Sequence, residues 1–169
     1  MSGVFRAGGG AAGAGPTAPG ARPEDRLAAL GLVLPPLRTA AGNYRGFVLA
    51  GDLLFLAGQG ADGWTGRVGA DLPVERARLA ARDCTLNLLA QTRAALGSLD
   101  RVRQVVKVLG FVACTEDFRD TPAVLDGASD LLVAVFGEQA GAHGRSAVGV
   151  QALPKGFAVE IEMVVQVHP

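Results

Sequence analysis

FAVEIEMVVQV, at residues 157–167, is the stretch of sequence that says most about the fold. Large apolar side chains occupy every second position, and the residues between them include two glutamates and a glutamine. A period of two is typical of a strand that buries one face. Residues 146–153, small and largely apolar, predict another strand, with Pro154-Lys155-Gly156 as the turn between the two. We therefore expect a sheet with one covered face.

Six further elements are predicted upstream of these strands. Two short apolar runs flank Gly51-Asp52, which is typical of a hairpin, and a Val-rich run predicts a buried strand. Two long stretches have apolar residues at helical spacing, and a shorter one begins at a proline. The strands are expected at Asn43–Ala50, Leu53–Ala57 and Val102–Cys114, and the helices at Pro23–Leu32, at Pro73–Leu96 and from Thr121, as N-cap, to about Phe136, with Gly137 as its stop.

The order of the main elements is β-β-α-β-α-β-β, preceded by the short helix. This order predicts an α+β sandwich in which two helices pack on one face of a mixed sheet. The other face needs a cover, and a second copy of the chain is the natural candidate because the net charge is zero. Residues 1–23, rich in Gly and Ala, are expected to form a flexible tail, followed by a single domain over residues 24–169.

Charge and composition argue against several classes of function. Lys plus Arg and Asp plus Glu are 16 each, so the chain lacks a basic excess and nucleic acid is not expected as a partner. Two Cys and two His, without CxxC or Cys/His spacing, predict no metal site and no cofactor bound through one. No apolar run reaches the length of a membrane span, and the N-terminus lacks the apolar core of a signal peptide. We expect a cytoplasmic protein without a membrane partner.

Arg145 and Glu160 are the candidate functional residues. Arg145 lies in a small, apolar stretch at the start of a strand, and Glu160 lies on the strand face opposite the apolar row. A guanidinium there can bind a ligand carboxylate through two parallel hydrogen bonds, and a nearby carboxylate can orient a water or move a proton. The alternative, which the residues alone favour, is a structural pair of Arg145 with Glu160 within one chain or between two.

Three other residues are given structural interpretations. Cys84 falls on the apolar stripe of the long helix and is interpreted as a core residue rather than a nucleophile. Trp64 lies in a Gly-rich loop, where it either anchors that loop or lines a pocket. The sequence shows no recognisable Ser-His-Asp catalytic triad, and His143 is interpreted as a loop residue rather than a catalytic one.

Several segments resemble one known family. RSAVGVQALPK at residues 145–155, followed by VEIE at 159–162, is similar to the signature of the Rid/YjgF family, the reactive intermediate deaminases, which are also called endoribonuclease L-PSP. FLAGQ at residues 55–59 resembles the family's second strand, and Asn43-Tyr44 resembles its entry to the first strand. The extra helix, the Gly-rich loop and residues 87–91 are similar to a longer and less characterised branch of that family.

The resemblance, over about residues 40–167, implies a chorismate-mutase-like fold and a homotrimer with clefts at the subunit interfaces. Characterised members hydrolyse the imine or enamine of 2-amino acids to a 2-keto acid and ammonia, without metal or cofactor. The implied ligand is thus a small carboxylated metabolite, a 2-imino or 2-keto acid. The implied catalytic residues are Arg145 for the carboxylate, Glu160 for the attacking water and Tyr44 in the cleft wall, and the implied substrate-binding residues also include Ala57, Gly58, Ser129 and Ala147.

The chain departs from the family pattern at the polar supports of this site. The family's Ser before Gly-Gln is Ala57, its Cys two residues after the Arg is Ala147, and an Asn of its second helix aligns about at Ser129. Three functions therefore stay open. They are a deaminase, a non-catalytic metabolite-binding or protein-interaction module of the same fold, and an endoribonuclease. The endoribonuclease has the weakest support, because the sequence shows no basic patch with interleaved aromatic residues.

Overall fold

A computed structural model describes residues 20–39 and 42–169. The main elements follow the predicted order, with the short helix first and then β-β-α-β-α-β-β. Two short 3-10 turns lie at Leu99–Arg101 and Pro154–Gly156. The elements are α1 (Pro23–Ala29), β1 (Phe47–Ala50), β2 (Leu53–Gln59), α2 (Val74–Leu96), β3 (Val102–Ala113), α3 (Thr121–Gly141), β4 (Gly144–Val150) and β5 (Val159–Val167).

The five strands form one mixed sheet in the order β1-β2-β5-β3-β4. Only β3 and β4 run parallel, and the other neighbouring strands are antiparallel. The turn at Pro154–Gly156 therefore joins two strands that are not neighbours, because β3 lies between them. Every second residue of β5 is buried, as its period of two predicts, since β5 holds an inner position with one face toward the helices.

Both long helices pack on a single face of the sheet, which confirms the predicted α+β architecture. The core between the layers takes Ala and Cys from α2, Val and Leu from α3 and the alternate large residues of the strands. The small residues let the helices approach closely. A Cβ built on Gly127 of α3 would lie 2.0 Å from the Arg78 carbonyl oxygen of α2, so no larger residue fits there.

No described residue outside the sheet covers its other face. Val48, Phe55 and Val148 are exposed there, at 49 %, 44 % and 43 % of their surface. They lie on strands that span the sheet from one edge to the other. Exposed apolar residues spread across a whole sheet face are typical of a surface that another protein covers.

Several predicted boundaries need correction. The first strand begins at Phe47 rather than Asn43, and α1 ends at Ala29 rather than Leu32. Asp120, and not Thr121, is the residue that precedes α3, and the Thr121 hydroxyl donates instead to the Ala147 carbonyl oxygen at 3.1 Å. Of the predicted flexible tail 1–23, residues 1–19 lie outside the described residues, and Pro23 is already the first residue of α1.

Gly137 interrupts α3 as predicted, but it does not end the helix. Gly137 has φ 81° and ψ 167°, which interrupts the helix there, yet a further turn follows as far as Gly141. A positive φ of this kind is easy only for glycine. Over residues 20–39 and 42–169, no helix is long and apolar enough to cross a bilayer.

Candidate functional site

A cavity of about 310 Å³ opens where the end of β2 meets the segment before β1. It contains three of the predicted site residues, Tyr44, Gly58 and Glu160. Tyr44 comes from the segment that leads into β1, Gly58 from the irregular end of β2 and Glu160 from the start of β5. The structure therefore brings these three predicted residues together in one cavity.

Glu160 is half-buried in this cavity and carries a perturbed pKa. Burial raises the pKa of its carboxyl above the ordinary value, and the negative charge of Glu162 raises it further. No group of the described chain donates a hydrogen bond to this carboxylate. A carboxyl with a raised pKa and no hydrogen-bond donor in the described chain has the properties of an acid/base candidate.

Gly58 makes room for that carboxylate. A Cβ built on Gly58 would lie 2.3 Å from Glu160 Oε1, inside van der Waals contact. The obstruction is the flexible end of a side chain rather than a backbone atom, so a larger residue at position 58 displaces the Glu160 carboxylate instead of breaking the sheet. The absence of a side chain at Gly58 thus leaves room for the Glu160 carboxylate in its present position.

The wall of the cavity is built by residues that sequence reasoning did not single out. The Arg38 guanidinium lies 5.3 Å from the centre of the Phe157 ring, and its Nη1 donates to the Gly60 carbonyl oxygen at 2.6 Å. Asn87 Nδ2 of α2 donates to the same oxygen at 2.8 Å, and Gln91 Nε2 donates to the Arg38 carbonyl oxygen at 3.0 Å. Both amides are buried on one helix at a spacing of four residues, within the segment 87–91 that was noted only for its family resemblance.

Arg145 lies elsewhere, between β4 and α3. Its Nη1 donates to Asp126 Oδ1 at 2.8 Å and to Ser129 Oγ at 2.9 Å, both on α3. The Arg145 side chain is 23 % exposed and the Asp126 side chain 44 %. The Nε and Nη2 atoms of Arg145 have no partner within the described chain, so one edge of the guanidinium remains available. That edge can take a carboxylate through two parallel hydrogen bonds.

Arg145 and Glu160 point to opposite faces of the sheet. Arg145 pairs with Val108 of β3, whose side chain is buried beneath the helices, whereas Glu160 pairs with Phe111, three residues along β3 on the other face. Directly paired residues share a face because side chains alternate along each strand. The expected ion pair between Arg145 and Glu160 therefore does not form within one chain, and Asp126 is the carboxylate that Arg145 contacts instead.

Of the remaining predicted binding residues, Ser129 and Ala147 lie near Arg145, and Ala57 lies in neither place. Ser129 contacts Arg145 directly, and Ala147 lies two residues further along β4 on the same face. Ala57 faces neither group, because it lines a separate groove of about 270 Å³ on the open face of the sheet. Asp126 precedes Ser129 by three residues, which places both on one side of α3.

Three structural interpretations can be compared with their surroundings. Cys84 is fully buried in the core, and burial raises the pKa of its thiol, which agrees with a core residue rather than a nucleophile. Trp64 Nε1 donates to Asp83 Oδ2 at 2.8 Å, which ties the Gly-rich loop to α2 and favours the anchor interpretation. His143 lies in the connection between α3 and β4, as interpreted, and hydrogen bonds to Ser129 there. Among the residues the structure describes, no cluster of His, Cys, Asp and Glu could hold a metal ion.

Comparisons with known proteins identify relatives of high similarity. Protein TCP17 of Trypanosoma cruzi is 43 % identical over 147 residues, which is 84 % of this chain and 92 % of that protein. The crystal structure of Atu1372 from Agrobacterium tumefaciens, a protein of unknown function, is 41 % identical with a TM-score of 0.80 and covers 86 % of this chain and 92 % of its own. A Shewanella oneidensis protein that carries the family's endoribonuclease name is 35 % identical, with a TM-score of 0.83, over 87 % of this chain and 100 % of its own.

A more distant structure contains a ligand. Escherichia coli TdcF, solved with bound serine, is 25 % identical and has a TM-score of 0.54 over 79 % of this chain and 94 % of its own. Finally, the YjgF/chorismate mutase-like endoribonuclease family profile matches residues 24–160. The match includes both Arg145 and Glu160 and agrees with the α+β architecture. The chain therefore belongs to the YjgF/chorismate mutase-like family, the Rid proteins.

Proposed function

We propose that this protein forms a homotrimer whose subunit interfaces bind small carboxylated metabolites and hydrolyse 2-imino or 2-enamino acids to 2-keto acids and ammonia. The observation that carries the proposal is the separation of Arg145 from Glu160. One group belongs to the outermost strand β4 and faces the helices, and the other faces the opposite side near β2. Each group is half of a site, and a neighbouring copy can supply the other half.

The open sheet face supports the assembly. Val48, Phe55 and Val148 lose their contact with water when three such sheets pack around a threefold axis. Packing of this kind brings the β4 edge of one copy toward the β1-β2 side of the next. Arg145 of one subunit then lies beside the cavity that contains Glu160 of its neighbour.

The site formed by two subunits needs only to hold the substrate and to move protons. The free edge of Arg145 holds the substrate carboxylate, and the backbone N–H of Gly58 contacts the ligand from the other side. Glu160, with its raised pKa, accepts a proton from the water that attacks the imine carbon and returns a proton to the departing ammonia. Holding water and imine in place supplies much of the acceleration that a reactive substrate needs.

Imine hydrolysis coupled to an amino-acid oxidase tests this proposal. The oxidase generates the 2-imino acid, and faster release of 2-keto acid and ammonia in the presence of the protein is the expected result. Arg145→Ala and Glu160→Gln should each abolish the acceleration. Glu138→Gln is the matched control, because Glu138 is an exposed carboxylate on α3 and lines neither the Glu160 cavity nor the open sheet face. Acceleration that survives Glu160→Gln contradicts the assigned role.

Ligand binding without turnover is the second candidate. The observation that favours it is the apolar side chain at Ala57 and Ala147, where the family pattern has a hydroxyl and a thiol. Under this alternative, calorimetry detects 2-keto-acid binding that depends on Arg145, while the oxidase-coupled assay shows no acceleration. Cleavage of RNA in the same preparation would instead support the endoribonuclease name.

A further inference from the structure

A chain of three hydrogen bonds ends at the Arg145 guanidinium. His143 Nδ1 lies 2.6 Å from the Gly141 carbonyl oxygen, and His143 Nε2 lies 3.1 Å from Ser129 Oγ. Ser129 Oγ in turn lies 2.9 Å from Arg145 Nη1. The three side chains come from α3, from the connection after it and from β4, so the chain of bonds spans the junction of these elements.

With a neutral His143 ring, the partners determine the direction of every bond. A carbonyl oxygen can only accept, so His143 Nδ1 carries the proton that it donates to Gly141. In the neutral ring Nε2 is then an acceptor, and the Ser129 hydroxyl donates to it. The hydroxyl proton is thereby turned away from Arg145, and the oxygen lone pairs receive the Nη1 proton. Bonds ordered in one direction reinforce one another.

We propose that His143 is a positioning residue that orients the carboxylate-binding edge of Arg145 through Ser129. Asp126 alone would hold Nη1 by one bond and leave the guanidinium free to turn about it. The second acceptor, Ser129, lies on the next turn of α3 and fixes the plane of the group. With Nη1 held by both, the Nε and Nη2 edge faces the position of the ligand. This inference rests on the proposed carboxylate-binding role of Arg145.

Two substitutions of similar size separate the two bonds of His143. In His143→Gln, Oε1 can reach the place of Nε2 and accept from Ser129, whereas the bond to Gly141 is lost. In His143→Asn, the shorter amide can donate to Gly141 in place of Nδ1 but cannot reach Ser129. If the role of His143 is purely structural, at the end of α3, the Asn variant should behave more like the wild type. If His143 positions Arg145, the Gln variant should.

The experiment combines calorimetric titration of the intact protein with pyruvate and NMR of the arginine side chains without ligand. We expect His143→Asn and Ser129→Ala to weaken pyruvate binding by about threefold to tenfold, as loss of one ordered hydrogen bond does. His143→Gln should stay within about twofold of the wild type. In the ligand-free spectra, rotation of the Arg145 guanidinium should be slow in the wild type and in His143→Gln, and fast in His143→Asn and Ser129→Ala.

The two readouts distinguish the possible failures. If the wild type and Arg145→Ala bind pyruvate equally poorly, the carboxylate-binding role fails, and the rotation rates still decide whether His143 orients Arg145. If His143→Asn binds pyruvate as tightly as the wild type and leaves the rotation rate unchanged, the positioning role is overturned. Equal weakening by His143→Gln and His143→Asn in folded protein, with unchanged rotation, overturns it as well.

Discussion

The surroundings of Arg145 and of Glu160 differ in almost every physical property. Arg145 is held by two side chains of α3 and neutralised by Asp126, and none of the described cavities is lined by it. Glu160 lines a cavity of about 310 Å³, has no hydrogen-bond partner in the described chain, and has a raised pKa. The first is a guanidinium oriented by side chains of α3, and the second is a carboxylate with a raised pKa in a cavity whose wall includes Arg38.

The two residues need opposite physical surroundings. Orientation costs little for Arg145, because α3 provides acceptors at a spacing of three residues. Reactivity at Glu160 needs the opposite conditions, partial burial and an unsatisfied carboxylate. One chain meets both sets of conditions on opposite faces of its sheet, and in the proposed trimer contact between copies combines them.

Loss of assembly is the largest effect that we expect. Phe55→Asp places a charge on the open sheet face, where burial of an unpaired carboxylate is costly. The wild type should scatter light as a particle of about three times the 17.2 kDa chain mass, and the variant as a single chain. Pyruvate binding should disappear together with the trimer. A wild-type mass near that of one chain at micromolar concentration would contradict the account.

Arg145→Ala removes the oriented group while leaving the cavity intact. Loss of a buried charged contact should weaken 2-keto-acid binding at least about tenfold, since roughly 1.4 kcal/mol corresponds to one decade. Arg145→Lys should restore little, because an ammonium cannot form the two parallel bonds of a guanidinium. Calorimetry on the folded trimer measures both variants. Unchanged affinity in Arg145→Ala would remove the carboxylate-binding role.

Glu160→Gln tests the reactive group without changing its shape. Ligand binding should persist, and any imine turnover should fall. Because the pKa of Glu160 is raised in the folded state, the ionised carboxylate destabilises the fold as pH rises above its ordinary value of 4.5. The melting temperature of Glu160→Gln should therefore rise relative to that of the wild type from about pH 4.5 upward. The difference should not exceed about 3 °C, because the group is half-exposed. A difference in melting temperature that grows toward low pH instead would contradict a raised pKa of Glu160.

Asp126→Asn should produce the smallest effect, in the opposite direction. The amide keeps an acceptor for Arg145 Nη1 and removes a negative charge that competes with the ligand carboxylate. Affinity for pyruvate should rise by about twofold to fivefold at low salt and less at high salt. Asp130→Asn is the control, because Asp130 lies on the same helix and pairs with Arg78 instead. Weaker binding in a folded Asp126→Asn protein would show that Asp126 supports the ligand site through its charge.

Much of the fold could be predicted because local patterns carry it. The alternation in residues 157–167 predicted β5, the Gly51-Asp52 turn predicted the β1-β2 hairpin, and the helical spacing in residues 73–96 predicted α2. The position of β5 between β2 and β3 could not be predicted, because a period of two shows which face is buried but does not identify the neighbouring strand.

The site was harder to predict because its contacts join distant segments. Glu160 and Arg145 were recognisable from their motif, but their placement on opposite faces follows only from their pairing with β3. Arg38 contributes to the cavity from an irregular segment, and its hydrogen bond to Gly60 leaves no periodic signal in the sequence. Asp126 has the spacing of an ordinary solvated helix face, so its contact with Arg145 required the packing of α3 against β4.

Mixed trimers test the central claim most directly, namely that each site combines Arg145 of one copy with the cavity of the next. Arg145→Ala removes the binding group, and Gly58→Val displaces the Glu160 carboxylate and fills the cavity beside it. Neither variant alone should bind pyruvate. Trimers assembled from equal amounts of both should recover about a quarter of the wild-type binding sites, since one interface in every mixed trimer keeps both intact halves. If verified mixed trimers recover no binding while the wild type binds, both halves must belong to one chain and the account is contradicted.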